Sequence, residues 1–147
     1  MNDFLHKLPQ FVDHHLALSA LFVILLLGLI GTFVADRFRK YKELTPASLT
    51  MLMNRENPLL VDVSPRDSFE KGHIPGAKHV LMSQFDPENK DLAKAKSLPV
   101  VVVCRAGQTS QGAAKRLVKA GFEKVYFLGG GMGAWQQAQL PVVKGKQ

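Results

Sequence analysis

A chain of 147 residues, 46% of them hydrophobic, has room for one ordinary domain with a packed core. Its single cysteine excludes an internal disulfide, which agrees with a reducing compartment and leaves the thiol free for chemistry. The formal net charge is +7, and setting aside the first 35 residues leaves 18 basic and 10 acidic side chains, a net +8. The lysines are scattered, and beyond the stretch Arg37 to Lys42 no aromatic residues are interleaved with basic ones, which argues against nucleic acid. A small anionic substrate and anionic lipid head groups remain as partners for that charge.

Residues 1 to 15 form a short tail. Leu16 to Ala35 then reads LALSALFVILLLGLIGTFVA, twenty residues without a charge. At helical rise this covers about 30 Å, the hydrocarbon thickness of a bilayer, so the pattern predicts one transmembrane helix over 16–36. A buried core helix seldom runs so far without a polar face. A cleaved signal peptide needs a shorter apolar run and a small-residue cleavage site, whereas here Asp36 and Arg37 follow directly. Lys7 stands alone before the segment, while Arg37, Arg39, Lys40 and Lys42 crowd the other side. The excess of basic residues predicts a single-pass inner-membrane protein whose remaining chain faces the cytoplasm, behind a basic juxtamembrane linker over 37–45.

The domain is expected over 46–147. Thr45-Pro46 reads as a helix start, threonine capping and proline at the first helical position, with Leu49, Leu52 and Met53 at helical spacing and an end near Asn54 to Asn57. Leu59 to Val63 is a compact apolar strand. Ser64-Pro65 repeats the cap-and-proline signal before a short helix closed by Gly72. A short strand is expected over 77–82, a polar loop with some helix over 86–97, and an apolar strand over Val100 to Val103. Four consecutive valines are too apolar for a strand with one wet face, so this one belongs at the centre of a parallel sheet covered on both sides. A helix from about Ser110 to Ala120, a strand over Val125 to Leu128, a Gly129-Gly130-Gly131 turn and a last helix around Ala134 to Ala138 complete the pattern. Alternation of this kind predicts a small α/β fold with a central parallel sheet flanked by helices.

The chemistry-bearing stretch is Val100 to Ser110, because it puts Cys104 where a central strand ends and a helix is about to begin, the place where open parallel sheets bind ligands. The loop Cys104-Arg105-Ala106-Gly107-Gln108-Thr109 can curl its amides around the sulfur, with Gly107 permitting a positive φ and the helix dipole aimed at the same spot. Both effects favour the thiolate, the nucleophilic form. Free cysteine is often simply buried. A glycine-containing polar loop that runs straight into a helix is nevertheless a poor way to bury an inert thiol. Asp62 ends a strand near the same face and is a plausible neighbour of the loop. His73, in a turn beside Pro75 and Gly76, reads as structural, and Trp135 as a packing anchor. No histidine or cysteine spacing suggests a metal site, although His14-His15 precedes the apolar segment.

Asp62-Val63, then Gly72-His73-Ile74-Pro75-Gly76-Ala77, then Cys104 to Ser110, then Gly130-Gly131 to Trp135 resemble the rhodanese family in order and spacing over about residues 45 to 145. With its apolar N-terminal segment, the chain is similar to the membrane-anchored single-domain rhodanese proteins of bacteria. The resemblance implies a rhodanese-like fold and a sulfurtransferase. Cys104 would take sulfane sulfur from a donor such as thiosulfate, hold it as a persulfide without a separate cofactor, and pass it to a thiol or cyanide acceptor. It also implies that the amides of Arg105, Ala106, Gly107, Gln108, Thr109 and Ser110 cradle the outer sulfur, with Arg105 attracting an anionic donor. Many relatives carry arginine and an acidic residue where this chain has Ser64 and Ser68, and arginine where it has Thr109, whose hydroxyl, with that of Ser110, would instead bind sulfur or cap the helix.

Two other functions fit less well. A cysteine phosphatase or arsenate reductase needs an arginine six residues after the cysteine, where this chain has Ser110. The other is a membrane-tethered rhodanese-fold adaptor or sulfur-carrier module binding a membrane protein partner; the intact Cys104 argues against a fully dead domain and does not by itself make turnover the job.

Overall fold

The computed structural model describes residues 15 to 37 and 40 to 146. The chain divides into two compact units, Met1–Arg39 and Lys40–Gln147. The tail over residues 1 to 14, with Lys7 and His14, and Arg39 of the basic flank lie outside the described residues.

In the first unit Leu16–Arg37 is a helix (α1), and its stretch Leu16–Val34 is long and apolar enough to cross a bilayer by length and composition. Its large apolar side chains are exposed along the whole length, Leu16 by 68% and Phe33 by 71%. The second unit is built on five strands, β1 Tyr41–Leu44, β2 Leu59–Asp62, β3 Lys78–His79, β4 Val100–Val103 and β5 Val125–Leu128, in the order β1-β5-β4-β2-β3 and all parallel. The all-valine strand β4 is the middle one and all four of its residues are buried. Its side chains alternate between the two faces. Val100 and Val102 join Ala113, Ala114 and Leu117, whereas Val101 and Val103 join Leu49, Phe69, Ile74 and Trp135. Helices Pro46–Glu56 (α2), Arg66–Lys71 (α3), Lys90–Ala93 (α4), Gln108–Lys119 (α5) and Gly131–Gln137 (α6) complete the unit, with a 3-10 turn at Met82–Gln84.

The helix start at Thr45-Pro46 forms as expected. Thr45 Oγ1 accepts the Ser48 N–H at 3.2 Å, Leu49 N–H bonds the Thr45 carbonyl at 2.9 Å, and Asn57 ends the helix in the left-handed region. Thr45→Ala is expected to lower the unfolding free energy by about 1 kcal/mol, because it strands one amide at the helix start. Urea unfolding of the full chain in detergent, with an unchanged slope and a lower midpoint, checks it.

Four boundaries differ from expectation. The segment 37–45, expected as a basic linker, contains β1, so the globular unit begins at Lys40 instead of residue 46. Its exposed Lys42 and Glu43 read as linker in sequence but suit an edge strand, where charge discourages pairing with other chains. Ser64 does not cap the next helix. Asp62 Oδ1 takes its N–H at 2.8 Å, Pro65 stands at the cap, and the Pro65 carbonyl receives the first helical amides, from Ser68 and Phe69. The strand expected over 77–82 is only Lys78–His79, since the chain leaves the sheet edge for the 3-10 turn. Helix α6 starts at Gly131, earlier than expected, because Gly130 caps it at φ +69° and Gly131 can itself adopt φ +57°.

Candidate active site

Strand β4 ends at Val103 and delivers Cys104 to the C-terminal edge of the sheet, directly before α5. Gly107 caps α5 at φ +92°, which bends the loop back over the cysteine. Gly107 N–H donates to Cys104 Sγ at 3.0 Å and Ser110 N–H at 3.4 Å. The Ser110 hydroxyl lies 3.4 Å from the sulfur and donates to the Gly107 carbonyl at 2.8 Å, locking the turn. The sulfur therefore sits at the positive end of a twelve-residue helix with two backbone donors pointing at it, an arrangement that stabilises negative charge on sulfur.

Of the six loop residues expected to cradle sulfur, Gly107 and Ser110 are buried and bond Sγ, whereas Arg105, Ala106, Gln108 and Thr109 are exposed. Of the two hydroxyls considered for the site, it is that of Ser110 that joins the cysteine.

Asp62 lies opposite Val103 in the sheet register and is buried, with 1% exposure. Its Oδ1 holds the Ser64 amide, and its Oδ2 finds no hydrogen-bond partner. Its carboxylate thus shapes the turn that leads to Ser64, while the loop amides serve the sulfur. His73 is structural in the geometry as in the sequence. Its ring stacks on Phe69 with centroids 3.7 Å apart, its Nδ1 meets the Phe69 carbonyl at 2.8 Å, and its backbone pairs with Val143. Trp135 is buried and donates from Nε1 to the Pro141 carbonyl at 2.9 Å.

Sequence reasoning missed two features. The first is the brace behind the loop. At the start of α6 the Met132 N–H bonds the Cys104 carbonyl at 2.9 Å and the Gly133 N–H bonds the Arg105 carbonyl at 3.2 Å. Gly131 fits so closely that an added Cβ would collide with the Cys104 carbonyl oxygen. Three glycines in a row after a strand were the available signal. The second is a cavity of about 530 Å3 beside the loop, whose walls include Arg105 and Ala106 from the loop and Ser64, Ser68 and Lys71 from the α3 segment. Nothing in the local pattern marks Lys71.

Comparison with known proteins decides the family. The model of the rhodanese-like domain matches residues 45–138. The chain belongs to the rhodanese-like family. This rhodanese-like chain is 37% identical over 143 residues to the uncharacterized protein YibN of Escherichia coli (strain K12), covering 97% of this chain and 100% of that one. It is 35% identical over 98 residues to the thiosulfate sulfurtransferase GlpE of Pseudoalteromonas translucida (strain TAC 125), covering 67% of this chain and 91% of that one. A solved rhodanese-related protein of Thermoplasma volcanium shares the fold at a TM-score of 0.61 and 21% identity, over 70% of this chain and 98% of that one.

Proposed function

We propose that this rhodanese-like chain is a sulfurtransferase that carries sulfane sulfur as a persulfide on Cys104. The observation that carries the reading is the placement of Sγ at the N-terminus of α5 under the Gly107 and Ser110 amides, which leaves backbone donors beside the sulfur to hold the charged end of a persulfide. Membership of a family that includes the thiosulfate sulfurtransferase GlpE supports it.

In the loading step the Cys104 thiolate attacks the outer, sulfane sulfur of thiosulfate. A bond forms between Sγ and that sulfur, the original S–S bond breaks, and its electron pair leaves on sulfite. In the unloading step an acceptor thiolate or cyanide attacks the outer sulfur of the persulfide, and the electron pair of that bond returns to Sγ. The covalent sulfur replaces any separate cofactor. Oxyanion clamping of the phosphatase kind lacks its guanidinium, because the position six residues after Cys104 is Ser110, buried and committed to the loop.

The apolar face of α1 on all sides supports a membrane anchor, and the basic residues that follow it support a domain held on the cytoplasmic side. The test uses the full chain in detergent, reduced, incubated with thiosulfate and freed of it. Intact mass is expected to rise by one sulfur atom, and alkylation of Cys104 beforehand is expected to prevent the gain. An unchanged mass with both thiosulfate and a persulfide donor would refute the carrier reading.

A further inference from the structure

The cavity beside the loop is far larger than thiosulfate or cyanide needs. Its volume is about 530 Å3, against a share of about 30 Å3 for a water molecule in the liquid, and it falls within the range of sites that take ligands of roughly drug size. Its walls carry two cations, Lys71 and Arg105, and no carboxylate. Both cations are exposed, and neither has an acidic partner among the described residues. Ser64 also lines it, and its buried hydroxyl has no hydrogen-bond partner although the residue is only 2% exposed. A buried donor left unsatisfied costs about 1–3 kcal/mol, a cost that a ligand oxygen at that point removes. Ser68 and the Gln136 amide add further polar groups on the same walls.

We propose that this cavity is the acceptor subsite, and that it selects a peptide-sized thiol bearing carboxylates, with Lys71 and Arg105 receiving the carboxylates and Ser64 donating to one of them. The inference rests on the carrier reading of Cys104. The bound thiolate attacks the outer persulfide sulfur, a new S–S bond forms to the acceptor, the bond to Sγ breaks, and Cys104 leaves as thiolate. The product is the acceptor's persulfide, and no outside oxidant or reductant enters. Lys71 is thereby a specificity-determining residue, acting on a carboxylate of the acceptor and not on the transferred sulfur.

The test starts from full chain already loaded at Cys104, verified by mass before any acceptor is added, and follows discharge in a single turnover. Glutathione is compared with its diethyl ester, which keeps the thiol and masks both carboxylates. Wild type is expected to reach half-saturation with glutathione at a concentration at least about tenfold below that for the ester, the size of one charge-assisted hydrogen bond. In Lys71→Met that ratio is expected to fall by at least about threefold, with Arg105 still receiving one carboxylate. A wild-type ratio near unity, or a tenfold ratio that survives Lys71→Met, overturns the proposal. Failure to load at all overturns the carrier reading itself, and the mass measurement shows it before the acceptors are compared.

Discussion

Cys104→Ser is expected to abolish sulfur loading, so that thiosulfate leaves the intact mass unchanged and transfer to any acceptor falls by at least about a thousandfold, as expected when a covalent nucleophile is removed. The hydroxyl occupies nearly the same place as the thiol and meets the same donor, the Gly107 N–H, with Ser110 Oγ beside it. The local turn is held by the bond from Ser110 Oγ to the Gly107 carbonyl, which the substitution leaves intact. The change in unfolding free energy is therefore expected to stay within about 1 kcal/mol, the net worth of one ordinary hydrogen bond. The distinction between lost chemistry and lost fold is what gives the variant its value. Loading is read by mass and stability by urea midpoint. Since the chain has no second cysteine, sulfur retained by the serine variant would place the carrier on a different side chain and refute the assignment.

Gly131→Ala is expected to do what Cys104→Ser does not, damaging the loop through the backbone. Gly131 sits at φ +57°, a region that costs an alanine roughly 1–2 kcal/mol. Its new Cβ would also drive into the Cys104 carbonyl oxygen and come within 2.8 Å of the Arg105 carbonyl carbon and oxygen. These are backbone atoms, which cannot rotate away as a side chain can. Relief requires the first residues of the loop to move, and with them the braces from Met132 and Gly133 and the aim of the Gly107 and Ser110 amides at Sγ. We expect stability to fall by at least about 2 kcal/mol and the loading rate by about a hundredfold, the scale of a displacement of roughly 1 Å at a reacting centre. Gly133→Ala serves as the comparison for stability. Its added Cβ would come no nearer than 3.8 Å to the Arg105 carbonyl, its φ is not positive, and alanine favours the helix it occupies. Equal losses in the two variants would show that neither glycine at the start of α6 tolerates an added Cβ, and would remove the special role given to Gly131.

Much of the site was legible in the order of residues along the chain. The apolar length of Leu16 to Ala35, the cap at Thr45, the all-valine strand and the glycine-bearing loop after it are local signals. Each is written within a few neighbouring residues, because helix starts, burial on two faces and positive φ depend on backbone and side-chain properties that act at short range. The placement of Cys104 between strand and helix followed from them. What only the tertiary structure decided depends on partners far apart in sequence. Tyr41–Leu44 becomes a strand because β5, more than eighty residues later, offers an edge to pair with, although Lys42 and Glu43 resemble a linker. Ser64 is drawn from its expected cap to a cavity wall by Asp62 Oδ1, and Lys71 reaches that same wall only because α3 lies across from the loop. Gly131 matters because α6 folds back onto the carbonyl of Cys104, a contact between residues 27 positions apart that periodicity along the chain does not encode.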